Sequence, residues 1–362
     1  MFDSVEKMIG NTPLFKLRRT GVAGPNLILK LEQFNPGGSI KDRTALAMIR
    51  AAENQGLLRP SMRIIESSSG NTAIGLAMLS IERGYRVTAI CDRHLPLTKR
   101  ARLFALGADI VFLPETPVGM DTVELRIQVA NQLAKTVPNA ISLGQYSNPA
   151  NPDIHYQTTG PEIWQELGGK LRAVVMAVGT CGTITGVGRY LKERDPSIRI
   201  IGAEPVGSEI FGPERGPYLI QGGGLSFIPS ILDSSVIDEG WKVRDADAIA
   251  AIHELAVNEG WAIGGTGGLV IHVLKAIAEN FGPDDNLVGI IPDAGERYLD
   301  TIYFEPWLEE HGMHRLTKDP DDSDPETVAA VKAIGCSLNE IPEDPGISLD
   351  EIEQRLGMVS RI

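Results

Sequence analysis

An α/β fold, with mostly parallel sheets and helices on both faces, is predicted by three observations. Short apolar, β-rich runs alternate with helical patterns along most of the 362 residues. Several of those runs lead into glycine-rich or polar loops at a strand-to-helix junction. Hydrophobic residues make up 43% of the chain, enough for a core and far from a disordered composition. The length fits one large or two modest domains.

In chain order, strands are expected at 27–31, 62–66, 86–91, 109–113, 173–178, 198–204 and 286–292. Helices are expected at 44–55, 72–83, 97–106, 123–135 and 184–194. Ligands in such folds bind past the carboxyl ends of the strands. Three such ends are rich in glycine or polar residues: Ser67-Ser68-Ser69-Gly70-Asn71-Thr72, Gly179-Thr180-Cys181-Gly182-Thr183 and Asp293-Ala294-Gly295-Glu296-Arg297. The body is expected to end near Trp307. The acidic, proline-bearing stretch 319–325 reads as a linker. Two short helical patterns follow it, at 326–334 and 348–356. The second opens on a capping-box spacing of Ser348 and Glu351. This appendage is too short for a core of its own.

The net charge is −13, from 34 Lys and Arg against 47 Asp and Glu, which argues against a nucleic-acid or anionic-membrane partner. Cys91, Cys181 and Cys336 are scattered, odd in number and without CxxC spacing. A reduced protein is expected rather than a disulfide scaffold or a zinc site. There is no apolar signal region at the N-terminus and no apolar run of transmembrane length, so a cytoplasmic location is expected.

The chemistry starts at Lys41. It follows the turn Asn35-Pro36-Gly37-Gly38-Ser39-Ile40 and stands at the mouth of the first helix. There, desolvation and the positive helix end both lower an amine's pKa. A neutral amine is what an aldehyde cofactor needs for Schiff-base chemistry. The plain alternative is a solvated surface lysine. The Gly179 to Thr183 loop reads as a phosphate cradle: glycines let the backbone approach, threonines add donors, and a helix points its positive end at the site. It has neither the Walker lysine nor the dinucleotide glycine order, so a small phosphate such as that of pyridoxal phosphate fits better. An ordinary tight turn is the competing reading. The Ser67 to Thr72 loop could bind a carboxylate, with Asn71 on a phenolate-like oxygen, or could simply cap a helix. Gln145 could add an amide donor, or be a turn residue.

Together these residues have a family resemblance. The chain resembles the fold-type II pyridoxal-phosphate enzymes of the cysteine synthase and cystathionine β-synthase family, over about residues 4–310. The resemblance is carried by Ile9-Gly10-Asn11-Thr12-Pro13-Leu14, the run 35–43, Ser69-Gly70-Asn71-Thr72, the run 145–151, Thr158-Thr159-Gly160-Pro161-Glu162-Ile163, the run 179–183 and Gly295-Glu296-Arg297-Tyr298-Leu299. It implies pyridoxal 5′-phosphate as cofactor and a homodimer. It implies a larger cofactor-phosphate domain of residues 1–40 and 150–315. Residues 41–149 would be a smaller, mobile substrate-carboxylate domain, and residues 316–362 an appendage. Lys41 then corresponds to the lysine that forms the internal aldimine and acts as acid and base at the substrate α-carbon. Asn71 corresponds to the residue beside the cofactor 3′-oxygen. Gly179, Thr180, Cys181, Gly182 and Thr183 form the phosphate loop, and Ser68, Ser69, Thr72 and Gln145 grip the substrate carboxylate. Family members lose a β-leaving group to give an aminoacrylate that a nucleophile attacks. Two departures stand out. Cys181 occupies a place where glycine is usual. In Ile263-Gly264-Gly265-Thr266-Gly267-Gly268, Gly265 takes the place of the serine expected at the pyridine nitrogen, leaving Thr266 as its substitute.

Two branches of the family compete. Residues 145–163 and 220–222 look like O-acetylserine sulfhydrylases. Residues 207–212 and 297–300, with Tyr303 and Trp307, are similar to N-(2-amino-2-carboxyethyl)-L-glutamate synthases, which join O-phosphoserine to glutamate for 2,3-diaminopropionate and siderophore synthesis. Arg215 is the basic residue that a phosphoserine user would place after Gly212. The second branch is slightly favoured. A non-catalytic regulatory binding protein is the alternative from another class, and retention of Lys41 argues against it.

Overall fold

The computed structural model describes residues 1–68, 70–93, 95–116 and 121–313. The first strands, β1 (Leu14–Lys16) and β2 (Asn26–Leu31), precede α1 (Lys41–Asn54). Next come β3 (Arg63–Ser67), α2 (Asn71–Arg83), β4 (Arg86–Cys91), α3 (Leu97–Ala105), β5 (Asp109–Phe112), α4 (Thr122–Thr136) and β6 (Ala140–Ile141). The chain continues through α5 (Ala150–Ile154), a single π-helical turn (His155–Thr159) and α6 (Gly160–Glu166). It then runs β7 (Ala173–Ala177), α7 (Gly182–Arg194), β8 (Arg199–Pro205), β9 (Glu239–Val243), α8 (Asp245–Glu259), α9 (Gly265–Ile277), β10 (Asn286–Ile291) and α10 (Glu305–Glu310).

These strands form two sheets. The six-stranded sheet has the order β1-β2-β10-β7-β8-β9, parallel except for the β1–β2 pair. The four-stranded sheet has the order β5-β4-β3-β6 and is parallel throughout. Both sheets carry helices on both faces, and the alternation of side chains shows it. On β7, Val175 packs with residues of α8 and α9, while Val174 and Met176 pack with Ile184, Val187 and Leu191 of α7. On β3, Ile64 faces α1 and α2, and Ile65 faces the α4 side through Ala130. Strands covered on both faces read as continuous apolar runs, which is why they were legible.

The expected strands and helices are present, with ends shifted by a few residues. The consequential shift is in α1, which begins at Lys41 rather than Thr44 and makes the lysine its first residue. Elements the periodicity did not predict are β1, β6, β9, α5, α6, α8, α9 and α10. The strands β1 and β6 span three and two residues, too short to show a period. The start of α9, Gly265-Thr266-Gly267-Gly268, reads as a loop by intrinsic propensity. Burial overrides it: all four residues are buried against the core. The linker and appendage expected at 316–362, and Cys336, lie outside the described residues. No helix among the described residues is long and apolar enough to cross a membrane.

Candidate active site

The carboxyl ends of β3, β7 and β10 open onto one cavity of about 610 Å³. Its wall includes Lys41, the loop after β3, the loop after β7, and Asp293 after β10.

Lys41 is held by its flanking turn. Gly38 has φ +75°, and a Cβ on Gly37 would lie 2.2 Å from the Asp42 carboxylate, so neither position admits an ordinary side chain. Asp42 accepts from the Gly37 N–H at 2.5 Å. The Ile40 N–H donates to the Pro292 carbonyl at 2.8 Å, pinning the start of α1 to the end of β10. Burial drives the Lys41 ammonium below its usual range, opposed by the charges of Asp293 and Glu32.

Behind it, three distant motifs converge on one buried ion network. Arg43 bonds Glu32 at 2.8 Å and Glu162 at 2.7 Å; Lys30 bonds Glu162 at 2.7 Å and the Thr12 carbonyl at 2.6 Å. Thr12 donates to Glu32 at 2.6 Å. Burial opposes the Glu32 charge, but Arg43 outweighs it and brings the carboxyl down to about 2. The motifs around Thr12, Arg43 and Glu162 therefore fasten α1 to the large sheet.

The loop after β7 enters α7, whose first-turn N–H groups have no carbonyl below them in the helix. A Cβ on Gly182 would stand 2.1 Å from Asn151 Oδ1, and one on Gly179 would stand 2.7 Å from the Gly222 carbonyl. The Thr180 hydroxyl accepts from Asn151 at 3.2 Å, and Thr183 lies 3.4 Å from His155 of the π turn. Burial lowers His155 to about 3, so it stays neutral. Cys181 has φ +66°, the left-handed region, which explains why glycine is usual at this position. Its thiol is buried and pushed up to about 12, so it is inert.

The loop after β3 places Ser68, Asn71 and Thr72 on the wall; Ser69 lies outside the described residues. Gln145 is 4% exposed. It donates to the Ser67 carbonyl at 2.7 Å and accepts from Thr72 at 2.7 Å. Ser68 Oγ accepts from the Ala73 N–H at 3.2 Å and so covers one first-turn donor of α2, but the N-cap is Gly70, with no side-chain cap, and the serine-cap reading is corrected. Beneath this loop Glu66 accepts from the Gly144 and Gln145 N–H groups at 2.9 and 3.4 Å. Burial raises its carboxyl to about 7.

Asn71 donates to Asp293 at 2.7 Å, and Tyr298 donates to the same oxygen at 2.7 Å. Asn71 Oδ1 and Asp293 Oδ1 are buried without a partner. Thr266 lines the cavity, whereas a Cβ on Gly265 would face Ile220 and Ile302. A serine at 265 would point into the core, so Thr266 is the hydroxyl available at this end of the site. An anion cradle, a desolvated amine and orphaned polar atoms in one cavity fit pyridoxal 5′-phosphate.

Sequence reasoning missed Lys99, Arg126 and Tyr146 on the same wall. Lys99 sits in a Lys-Arg-x-Arg run that reads as a solvated helix face. Only its position beside the second sheet buries it. Arg126 bonds Asp92 at 2.7 Å. Arg215 is half-exposed and lies 3.8 Å from Asp121, itself on the wall.

The family described as "Pyridoxal-phosphate dependent enzyme" matches residues 5–293. Cysteine synthase B of Escherichia coli (strain K12) is 40% identical over 311 residues, covering 85% of this chain and 97% of that protein. Cystathionine beta-synthase of Apis mellifera is 41% identical over 315 residues. That match covers 84% of this chain, which spans only 62% of the relative's length. The crystal structure of O-ureido-L-serine synthase superposes with a TM-score of 0.80 at 34% identity, covering 91% of this chain and 99% of that one. The chain belongs to the pyridoxal-phosphate-dependent enzymes, in their cysteine synthase and cystathionine β-synthase-like group, and its cofactor is pyridoxal 5′-phosphate.

Proposed function

We propose that this pyridoxal-phosphate enzyme catalyses β-replacement on an O-activated L-serine, either O-phosphoserine or O-acetylserine. We propose that the amine of L-glutamate is the incoming nucleophile, giving N-(2-amino-2-carboxyethyl)-L-glutamate. The observation that carries the reading is the opening of Lys41, the 179–183 cradle and the 68–72 loop into a single cavity. When bound, the cofactor supplies an aldehyde for amines and a sink for the electrons released at the substrate α-carbon.

This chain's residues supply the rest. Lys41 Nζ, whose ammonium form burial disfavours, takes the proton from the α-carbon and returns it. The α7 amides with Thr180 and Thr183 would hold the cofactor phosphate, and Thr266 would supply the hydroxyl for the pyridine nitrogen. Ser68, Thr72 and Gln145, with Ser69, bind the substrate carboxylate. Residues 41–149 act as the smaller unit that closes on it and excludes water. At the β-carbon the C–O bond breaks, phosphate or acetate leaves, and a C–N bond forms as the incoming amine gives up a proton. Lys99 and Arg126 on the wall support an acidic second substrate. Cysteine synthesis is the second reading, supported by the near full-length match to cysteine synthase B. We also propose a homodimer, which a sedimentation mass near that of one 39.1 kDa chain would contradict.

The test is a substrate panel on purified holoenzyme. O-phosphoserine and O-acetylserine are each paired with glutamate, sulfide, homocysteine and thiosulfate, and products are read by mass spectrometry. A glutamate adduct is expected. Cysteine formed from sulfide, with no glutamate adduct, selects the second reading.

A further inference from the structure

A second lysine shares the cavity with Lys41. Lys99, on α3, is 5% exposed and lines the wall. Its ammonium has two neutral neighbours. Nζ donates to Gln221 Oε1 at 2.9 Å and stands 4.4 Å from the centre of the Tyr298 ring. Among the described residues, none of the salt bridges includes it. A buried ammonium with one amide acceptor and a ring face is under-compensated. The same side chain passes 3.8 Å from where a Cβ on Gly70 would be, so it overlooks the loop that faces the substrate.

We propose that Lys99 is the binding residue for the second negative charge of the amino-acid substrates, a phosphate or a side-chain carboxylate, which replaces Gln221 as its acceptor. The proposal rests on the β-replacement reading and specifies the substrate class of that site. The α-carboxylate already has the Ser68, Thr72 and Gln145 cluster. A dianionic donor or a dicarboxylate acceptor brings one more charge, and Lys99 is a buried cation on the same wall whose hydrogen bond goes to a neutral amide.

The groups facing Lys99 set its pH response. Burial pushes the ammonium down to about 8; Asp293 and Asp300 oppose that, and Arg297 adds to it. Tyr298 faces it as a neutral phenol, held well above its usual range by burial and by Asp293. Anion affinity is therefore close to full at pH 7 and below, halved near pH 8 and lost above it.

The test uses holoenzyme, with Lys99→Met and Lys99→Arg compared with wild type at pH 7. Dissociation or inhibition constants are measured for O-phosphoserine against O-acetylserine, and for glutamate against alanine. Binding of phosphoserine or glutamate to Lys99→Met is expected to weaken about tenfold or more, while O-acetylserine and alanine change less than threefold. Lys99→Arg should recover most of the loss. The donor pair reports a phosphate ligand and the acceptor pair a carboxylate. Wild-type affinity for the charged ligand should also fall between pH 7 and 9, and that of Lys99→Arg should not. Equal weakening of charged and neutral ligands, or none, overturns the proposal. Because binding is read directly, this outcome is separate from the product panel. An enzyme that makes only cysteine can still bind phosphoserine through Lys99.

Discussion

Glu66 shows how one buried residue ties the substrate loop to pH. Its carboxyl accepts from backbone N–H groups of residues 144 and 145, and burial raises it from 4.5 to about 7. A carboxyl raised in the folded state contributes stability that is fully present below about pH 4.5 and is lost as pH rises through 7. A shift of this size corresponds to roughly 3 kcal/mol. Glu66→Gln, which resembles the protonated acid, should flatten the fall in melting temperature between pH 5 and 8. Parallel wild-type and variant profiles would count against this. A glutamate one residue before a serine run carries no sign in sequence that it will be buried without a cation, so this residue was not legible. Lys41 was legible because its turn, its helix and its motif all mark the same position.

At the scale of elements, the entrance to α7 carries the anion cradle and two exacting positions. Cys181 holds a left-handed conformation that costs a non-glycine residue about 1 kcal/mol or more. Cys181→Gly and Cys181→Ala both lose the buried sulfur, but only alanine keeps the backbone cost. The glycine variant should therefore be the more stable by about 1 kcal/mol in urea unfolding. A more stable alanine variant would show that the strain is absent. Gly182→Asp puts a carboxylate against Asn151 and beside the anion site, so the purified variant should lose most of its cofactor on dialysis. Retained 1:1 cofactor would refute the cradle. The loop itself was readable from its glycines and threonines. Its support was not, because Asn151 and His155 reach it only through the packing of α5 and the π turn on α7.

At the scale of the molecule, the strand-helix alternation disclosed mostly parallel sheets, because strands buried on both faces advertise themselves. It could not disclose which strands are neighbours. That depends on long-range pairing, and the same pairing brings Lys99 from an apparently solvated helix face to the cavity wall. The described body ends at residue 313, just past α10. Ending the chain at residue 318 should leave the rate at saturating substrate within about threefold, since the described cavity walls all lie before residue 300. Abolished turnover in a folded, cofactor-loaded truncation would place the tail in the reaction. The order of strands also governs how the molecule is born. Asn26 at the start of β2 pairs with Asn286 of β10, whereas the four-stranded sheet closes by residue 141. During translation at about 5–20 residues per second, β2 waits tens of seconds for its partner to leave the ribosome. For that interval the nascent protein is a finished small layer preceded by the β1–β2 pair, whose second apolar edge is still open, which is the species a chaperone would meet.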